Sequence, residues 1–202
     1  LLVVVSDPLA RWWCTRVYFQ VVVVVVGVSL CFPMSDTNCP IMSWNVRGLN
    51  SPARRDVVLE MAETHRIAIL CLQGTKIDEW TRALVRETGG ARLADCIVLA
   101  AAGTWSGVAI FWDKNRVEVL LQAIGYFSFT AKITITTSGA TFWLTTVYGP
   151  VDDRRKDDFL AELARAAPPS NAPWLINDDF NLIYEARDKN NTNINCRIMG
   201  KF

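Results

Sequence analysis

Four short polar segments carry the residues whose types suit phosphate or metal chemistry, and each follows an apolar run of strand length. They are centred on Asn45, Gly74, Tyr148 and Asp179. Ligands of α/β proteins bind where strands end. At such a place, amide and carboxylate oxygens can hold a metal ion, and a phenol can donate a hydrogen bond to a phosphate oxygen. The pattern therefore indicates a site at the ends of strands.

The last segment, residues 177–182, contains two carboxylates and two amides after a short apolar run. Hydrolysis of a phosphodiester needs a base for water, donors for the developing charge and a metal ion that neutralises it. Asp179 and Asn181, two residues apart, can supply the base and a donor from one turn. An Asx-rich turn without chemistry explains the segment equally well. Taken alone, Asn45 also fits a simple turn, and Tyr148 fits a tyrosine at the rim of the core.

The second segment lacks the residue that a cation site would use. Residues 72–76 follow the strand that is most clearly predicted to be buried, and a carboxylate is the natural magnesium ligand at such a point. The segment offers only neutral Gln73, followed by Gly74. Period-two alternation directs Gln73 to the face opposite position 74, and Asp78 lies a turn or more away.

Apolar runs separated by turn residues predict alternating strands and helices from residue 41 onward. Polar loop chemistry is expected from Asn177. Strands are expected at residues 41–46, 67–72, 97–100, 108–112, 117–121, 127–137, 141–148 and 174–176, with a hairpin turn at Ser138-Gly139. Helices are expected after Ser51-Pro52, at residues 78–88 and at residues 152–166. This order favours stacked mixed sheets with helices outside.

The helices can be described further from their side chains. The hydroxyl of Ser51 is expected to cap the first helix. A basic run at residues 154–156 is flanked by four aspartates and is interpreted as a solvated helix face. The side chains predicted to face inward are Val57, Val58 and Met61 in the first helix and Phe159, Leu160 and Leu163 in the last.

Composition indicates an ordered domain and gives no general argument for nucleic-acid binding. Of 202 residues, 51% are hydrophobic and 20% are charged, which allows a sizeable core. Net charge is only +1, so any DNA affinity must come from a local patch or from metal-bridged contacts. Six scattered cysteines and the single His65 exclude the usual zinc spacings and favour a reducing compartment. Cys71 and Cys96 are expected to be buried.

Residues 1–40 are predicted to be an apolar extension that precedes a domain at residues 41–202. Residues 17–32 form its most apolar part. One interpretation is a membrane anchor or a signal-peptide core, although a spanning helix needs roughly 20 apolar residues. The other is a non-native translated extension, which is favoured because valine blocks prefer strand. The chain also begins with Leu1, and its first methionine is Met34.

Taken together, the polar segments resemble the endonuclease/exonuclease/phosphatase (DNase I-like) family, and most of all the endonuclease domain of plant LINE-type retrotransposons. The strings that carry the resemblance are Met42-Ser43-Trp44-Asn45-Val46-Arg47-Gly48-Leu49-Asn50-Ser51, Leu72-Gln73-x-Thr75-Lys76, Val147-Tyr148-Gly149-Pro150 and Asp179-Phe180-Asn181-Leu182. Asp188-Lys189-Asn190-Asn191 and Arg197-x-x-Gly200-x-Phe202 also resemble that subgroup. Each string is unspecific, whereas their combination and order are specific.

The resemblance implies a four-layer α/β sandwich, with two stacked mixed β-sheets flanked by helices. It implies hydrolysis of phosphodiester or phosphomonoester bonds with Mg²⁺ or Mn²⁺, and in the retrotransposon branch the nicking of target DNA. By resemblance, Asn45 would help to hold the metal and the phosphate, and Tyr148 would contact the scissile phosphate. Asp179 would position or activate the attacking water, and Asn181 would orient the site and stabilise the transition state.

Three departures from the family pattern argue against activity. Gly74 stands where the family has its metal-binding glutamate, so metal binding is expected to be impaired. Asp178 replaces the usual glycine and adds bulk and repulsion beside Asp179. The chain stops at Phe202, before the family's closing serine-aspartate-histidine segment, so the C-terminal part of the fold is expected to be missing. His65, at the end of the first helix, matches no family motif.

The leading hypothesis is therefore a degenerate, truncated endonuclease-like domain of a retroelement with little or no activity. The alternatives are a residual magnesium-dependent endonuclease that holds its metal through Asp178 or Asp179, a non-catalytic nucleic-acid or protein-binding module, and a protein anchored to a membrane through residues 17–32. The implied partners are DNA and, in an intact ancestor, a reverse transcriptase domain. A nuclear or cytoplasmic location is implied, unless the apolar segment is a real membrane segment.

Overall fold

Two mixed β-sheets and three α-helices form the part of the chain that the computed structural model describes. That part comprises residues 21–26, 39–101, 107–170 and 172–179, with the backbone alone at residues 21–26, Gln122, Asp178 and Asp179. The strands are β1 (Val21–Val26), β2 (Cys39–Asn45), β3 (Ile69–Gln73), β4 (Asp95–Leu99), β5 (Val108–Trp112), β6 (Val117–Ile124), β7 (Ser128–Ile135), β8 (Thr141–Tyr148) and β9 (Trp174–Asp179). The helices are α1 (Pro52–Thr64), α2 (Arg82–Gly89) and α3 (Lys156–Arg165), and one 3₁₀ turn, Asp153–Arg155, precedes α3.

The first sheet has the strand order β1-β2-β3-β5-β4. All five residues of β3 are buried, as expected for a continuously apolar strand at the centre of a sheet. β2 and β3 are parallel, and α1 makes the crossover that such a pair requires. The parallel pairing brings the C-terminal ends of β2 and β3 to the same edge of the sheet.

The second sheet has the order β6-β7-β8-β9. β6, β7 and β8 are antiparallel neighbours, and the turn between β7 and β8 contains Gly139 at a φ of +68°, which favours glycine. The 3₁₀ turn and α3 then cross over to β9, which pairs with β8 in parallel. The second sheet therefore repeats the arrangement of the first, with two parallel strands that end at one edge.

Apolar side chains from both sheets form one core between them. The residues of this inter-sheet core include Ile41, Ile69, Cys71, Ile110, Phe129, Ala131, Ile133, Leu144 and Leu175. Successive side chains of a strand alternate between the faces of a sheet, so every second residue of β2, β3, β8 and β9 points into this core. Strands β2 and β9 contact each other across it.

The outer faces of the sheets are covered by helices. Side chains of α1 and α2 pack with Trp44, Leu72 and Phe111 on the first sheet. On the second sheet, Phe159 and Leu163 of α3 pack with apolar residues of the outer face. The predicted four-layer α/β sandwich of two mixed sheets flanked by helices is therefore confirmed.

Several local predictions for the helices were wrong. Ser51 occupies the N-cap of α1, but its side chain makes no capping hydrogen bond. Val57 is 48% exposed, because the inner face of α1 is formed by Val58 and its helical neighbours. Helix α2 begins four residues later than predicted, at Arg82, where the Thr81 hydroxyl accepts a hydrogen bond from the backbone and caps the helix.

The basic run before α3 is not a uniformly solvated face. Arg154 is exposed, but the guanidinium of Arg155 lies over the ring of Tyr126, 4.3 Å from its centroid. Lys156 is buried and forms an ion pair with Asp153 at 2.6 Å. The predicted solvated face therefore holds for Arg154 alone.

Glu162 of α3 joins the helix to the second sheet. Its carboxylate accepts hydrogen bonds from the backbone amides of Tyr126 and Phe127 at 2.8 and 2.9 Å, and from the Ser128 hydroxyl at 2.7 Å. The side chain fills the space beside Gly125 in which a Cβ atom would lie. This contact fixes the segment that precedes β7, and β7 in turn supports β8.

The valine block of the predicted extension forms an edge strand of the first sheet, with β1 antiparallel to β2. None of the helices in the described part of the chain combines the length and the hydropathy that a membrane span requires. The rest of residues 17–32 lies outside the described residues, and the division into 1–40 and 41–202 stays a prediction.

Candidate functional site

The structure brings Asn45 and Gly74 together at the edge where β2 and β3 end. Asn45 pairs with Gln73 in the parallel register, and Gly74 is the next residue along the chain. A Cβ atom on Gly74 would lie 2.8 Å from the Oδ1 atom of Asn45, which is closer than real Cβ contacts. Gly74 also has a φ of +62°, in the left-handed region that disfavours other residues. Both the backbone and the neighbouring amide therefore require glycine at this position.

The loops that follow β2 and β3 are held together by hydrogen bonds. Asn45 Oδ1 accepts a hydrogen bond from the Arg47 amide at 3.3 Å. Between the loops, the bonds are Val46 N to Gln73 O at 3.0 Å, Leu49 N to Thr75 O at 2.8 Å and Asn50 Nδ2 to Lys76 O at 3.0 Å. The two loops are therefore one connected unit at the edge of the sheet.

A buried arginine fixes this unit to the helices. Arg55 of α1 is 6% exposed and donates hydrogen bonds to the carbonyl oxygens of Leu49 and Asn50 at 2.6 and 3.1 Å. It also forms an ion pair with Glu87 of α2 at 2.8 Å. Since a buried charge needs a partner, the loop carbonyls and Glu87 together stabilise this guanidinium.

The second pair of predicted residues lies at the corresponding edge of the other sheet. Tyr148 and Asp179 are direct neighbours in the parallel register of β8 and β9, and the Tyr148 amide donates a hydrogen bond to Phe127 O at 2.8 Å. Asn177 was predicted to begin a loop, which was wrong, because β9 continues through Asp179 in register with β8. Asn181 lies outside the described residues.

A layer of buried polar side chains lies where the inter-sheet core meets these strand ends. It consists of Ser43, Gln73, Thr146 and Asn177, which we call the polar layer, and each is at most 5% exposed. Each stands two residues after a member of the inter-sheet core on its own strand, so all four point between the sheets. One further step along the same faces leads to Asn45 and Tyr148. This periodicity directs Asn45 of the first sheet and Tyr148 of the second toward the same interlayer.

The polar layer is only partly satisfied by hydrogen bonds. Gln73 Nε2 donates to Ser43 Oγ at 3.1 Å. Within the described part of the chain, Gln73 Oε1, Thr146 Oγ1 and both polar side-chain atoms of Asn177 lack a hydrogen-bond partner. Buried polar atoms without partners cost stability, and such atoms concentrate where a site needs them.

Sequence reasoning assigned no role to Gln73 and Asn177. Gln73 was discounted as a neutral residue on the wrong face, and Asn177 was assigned to a loop. The sequence did contain a clue, because residues two apart on a strand point to the same face of the sheet. Asn177 is two residues from Asp179, and Gln73 is two residues from the apolar Cys71. Extending the strand pattern would have placed both residues in the interlayer.

The described residues do not fit the carboxylate-rich cation site that the resemblance implies. Position 74 contributes no side chain, and Asn45 offers a single neutral amide. No group of three or more histidine, cysteine, aspartate or glutamate side chains capable of holding a metal occurs among the residues that the structure describes. Magnesium prefers several oxygen ligands with carboxylates among them, and the described side chains at the ends of β2 and β3 supply the amide of Asn45.

Among the described residues, Cys39, Cys71, Cys96 and His65 are not members of the polar layer. Cys71 is fully buried, as predicted, whereas Cys96 is only half-buried. Burial raises the pKa of the Cys39 thiol to about 11, an effect that Arg116 partly offsets. His65 is exposed at the C-terminal end of α1.

The sequence matches the model of the family described as "Endonuclease/Exonuclease/phosphatase family" over residues 42–195, more than half of the chain. No curated protein sequence matches it.

Solved structures share the fold at low sequence identity. The endonuclease domain of TRAS1, a telomere-specific non-LTR retrotransposon, is 15% identical with a TM-score of 0.54, and the match covers 80% of this chain and 69% of that one. A humanized D. rerio TDP2 is 21% identical with a TM-score of 0.50, covering 71% and 62% of the two chains. The Bacteroides thetaiotaomicron mannosyl-6-phosphatase Bt3783 is 13% identical with a TM-score of 0.50, covering 70% and 64%. The chain therefore spans less than two thirds of the latter two structures.

Proposed function

Because the chain belongs to the endonuclease/exonuclease/phosphatase family, we propose that it is a degenerate endonuclease-like domain of a retroelement. Its ancestral reaction is metal-dependent hydrolysis of DNA phosphodiester bonds, and this copy has little or no such activity. The likeness to the TRAS1 endonuclease domain and the retrotransposon-like strings around Asn45, Tyr148 and Asp179 support the retroelement origin. DNA is the proposed ligand, and a reverse transcriptase domain is the proposed partner of the ancestor.

The contact between Gly74 and Asn45 carries the proposal. In this site, Asn45 Oδ1 occupies the space into which a side chain at position 74 would project, 2.8 Å from its Cβ position. The backbone at Gly74 has adopted a left-handed conformation that a glutamate would strain. The glycine is therefore built into the local structure, and the loss of a carboxylate there removes the charge that would attract a divalent cation.

In the ancestral reaction of this proposal, Tyr148 contacts the scissile phosphate and Asp179 positions or activates the attacking water. Their register places the two backbones side by side, and the alternation of β8 directs Tyr148 toward the interlayer. With Asn45, Tyr148 forms an edge that presents an amide and a phenol. Such an edge can donate hydrogen bonds to phosphate oxygens, but without a well-held cation it lacks the Lewis acid that the reaction requires.

Nicking of supercoiled plasmid tests the proposal. The full chain is incubated with plasmid and millimolar Mg²⁺ or Mn²⁺, beside an Asp179→Ala variant, and a known magnesium-dependent nuclease serves as the positive control. The proposal expects both proteins to nick at the rate of the protein-free reaction. Metal-dependent nicking by the wild-type chain that disappears in the Asp179→Ala variant would refute the loss of activity.

One observation favours the alternative of a residual enzyme. Asp178 and Asp179 are consecutive residues at the end of β9, beside Val147 and Tyr148, so two carboxylates arise within one step of the strand. If Asp178 holds the metal, an Asp178→Ala variant loses the metal-dependent nicking that the wild type retains. If nicking by Asp178→Ala and by the wild type both remain at background, the residual-enzyme alternative is excluded.

A further inference from the structure

Three cationic side chains stand together beside the candidate site. Arg47 and Lys76 lie in the loops that follow β2 and β3, and Arg54 lies in the first turn of α1, and all three are exposed. The Nη1 atom of Arg54 and the Cδ atom of Lys76 lie 3.4 and 3.6 Å from the Cβ position of Gly48, so the two side chains converge over this glycine. We refer to Arg47, Arg54 and Lys76 as the cationic cluster.

The charges of the cationic cluster are not neutralised by carboxylates in the described part of the chain. The four ion pairs found among the described residues all involve other basic side chains, namely Arg55, Arg92, Arg154 and Lys156. Asp78 and Glu79 follow Lys76 closely in sequence and are exposed, but neither forms an ion pair with it. The cluster therefore presents three positive charges next to Asn45 and Gly74.

Two members of the cluster are held in a costly backbone conformation. Arg47 and Lys76 have φ angles of +50° and +54°, and among the residues that the structure describes only Arg66 shares this feature outside glycine. Residues other than glycine rarely adopt this conformation, because it brings the Cβ atom too close to the following carbonyl oxygen. Strained residues of this kind concentrate at binding sites, where the surrounding structure holds them in place.

Hydrogen bonds from neighbouring side chains hold the backbone at Arg47 and Lys76 in place. Arg54 Nη1 donates to the carbonyl oxygens of Arg47 and Gly48 at 3.0 and 3.1 Å, and Asn50 Nδ2 donates to the carbonyl oxygen of Lys76 at 3.0 Å. The cationic groups are thus mounted on a connected pair of loops rather than on independent flexible segments. A binding surface that is already organised loses less entropy when it takes a ligand.

We propose that the cationic cluster binds backbone phosphates of a nucleic-acid strand directly, without a metal ion, at the edge where β2 and β3 end. The positive charges of the cluster then neutralise the phosphate, which is one of the roles of a bound metal cation. The inference rests on the proposed function for the class of ligand. It goes further by predicting metal-independent retention of DNA and by naming the residues that cause it.

Fluorescence anisotropy with a labelled 16-base-pair DNA duplex, in EDTA, tests this inference on the full chain. Binding through three phosphates predicts that affinity falls about 40-fold when salt rises from 50 to 200 mM. In the variant Lys76→Asn, the same salt change should weaken binding only about 12-fold, because one phosphate contact is lost. Asparagine is chosen because it tolerates a left-handed backbone and carries no charge.

Lys114→Asn is the matched control. Lys114 is an exposed lysine in the turn after β5, and the antiparallel register of β3 and β5 puts it at the opposite end of the sheet from Lys76. This control should leave both affinity and salt dependence unchanged. Thermal melts of the three proteins establish that they fold alike, and Arg47→Asn, which should act like Lys76→Asn, gives an independent second variant.

The outcomes separate this inference from the proposed function. Duplex binding in EDTA that weakens in Lys76→Asn and Arg47→Asn but not in Lys114→Asn supports the cationic cluster. No binding in EDTA, or equal weakening by Lys114→Asn, refutes it. Binding that appears only with Mg²⁺ also refutes it. Failure of the proposed function has a different signature, which is metal-dependent plasmid nicking that requires Asp179.

Discussion

Replacing Gly74 with alanine should destabilise the chain through two separate physical effects. The first is the left-handed backbone at a φ of +62°, which costs an alanine about 1–2 kcal/mol. The second is the new Cβ atom, which would lie 2.8 Å from Asn45 Oδ1. The amide must move away, and its hydrogen bond with the Arg47 backbone is weakened at a cost of about 1 kcal/mol. The expected loss of unfolding free energy is therefore about 2–3 kcal/mol.

Gly139 provides the control that separates the two effects. It has a similar φ of +68°, but nothing lies within 4 Å of its Cβ position. Gly139→Ala should therefore show the backbone cost alone, about 1–2 kcal/mol. Urea unfolding of wild type, Gly74→Ala and Gly139→Ala, followed by tryptophan fluorescence, measures the difference between the two variants.

A double variant tests the origin of that difference. In an Asn45→Ala background the crowded oxygen is gone, so the penalty of Gly74→Ala should fall to that of Gly139→Ala. Equal penalties for the two glycines in the wild-type background would refute the reasoning. The same contact also predicts that Gly74→Glu alone meets this strain and does not simply restore a metal ligand.

Three further predictions concern the elements that support the site. Glu162→Ala removes the acceptor of two backbone amides and one hydroxyl, so the free energy of unfolding in urea should fall by about 2–4 kcal/mol. Glu162→Gln should lose about half of this. A loss below about 0.5 kcal/mol in Glu162→Ala would contradict the contact. Asn177→Leu removes two buried polar atoms that lack partners, so this variant should be about 1–2 kcal/mol more stable than the wild type, and destabilisation would show that these atoms are satisfied in solution. Burial raises the pKa of the Cys39 thiol from 9.0 to about 11, so the contribution of this thiol to stability is complete below pH 9 and is lost as the pH rises toward 11. Stability measured from pH 8 to 11 should therefore fall more steeply for the wild type than for Cys39→Ala. Parallel curves for the two proteins would contradict this.

The strands whose patterns were strongest could be predicted closely from the sequence. Residues 108–112 and 141–148 were predicted with the bounds of β5 and β8. Both are apolar or alternating runs that end at turn residues, so local pattern and tertiary pairing agree. The order of strands and helices then sufficed for the class of fold, because few layered arrangements bury both sheet faces.

The predictions that failed depend on contacts between distant parts of the chain. Asn177 and Asp178 suggest a loop by composition, but pairing with β8 extends β9 through both. Val57 fits an apolar helix face by spacing, but the packing of α1 on the sheet leaves it exposed. The same applies to the site, because sequence alone did not show that Asn45 fills the space beside Gly74, or that Arg47 and Lys76 have left-handed backbones.

We infer above all that cationic side chains and amides at the ends of β2 and β3 bind phosphate without a divalent metal. An NMR titration of the ¹⁵N-labelled chain with a dithymidine phosphodiester in EDTA measures this most directly. We expect shifts concentrated on the backbone amides of residues 45–48 and 74–76 and on the side-chain amide of Asn45. Shifts centred on Lys114 or elsewhere, or shifts that appear only after Mg²⁺ is added, would contradict it.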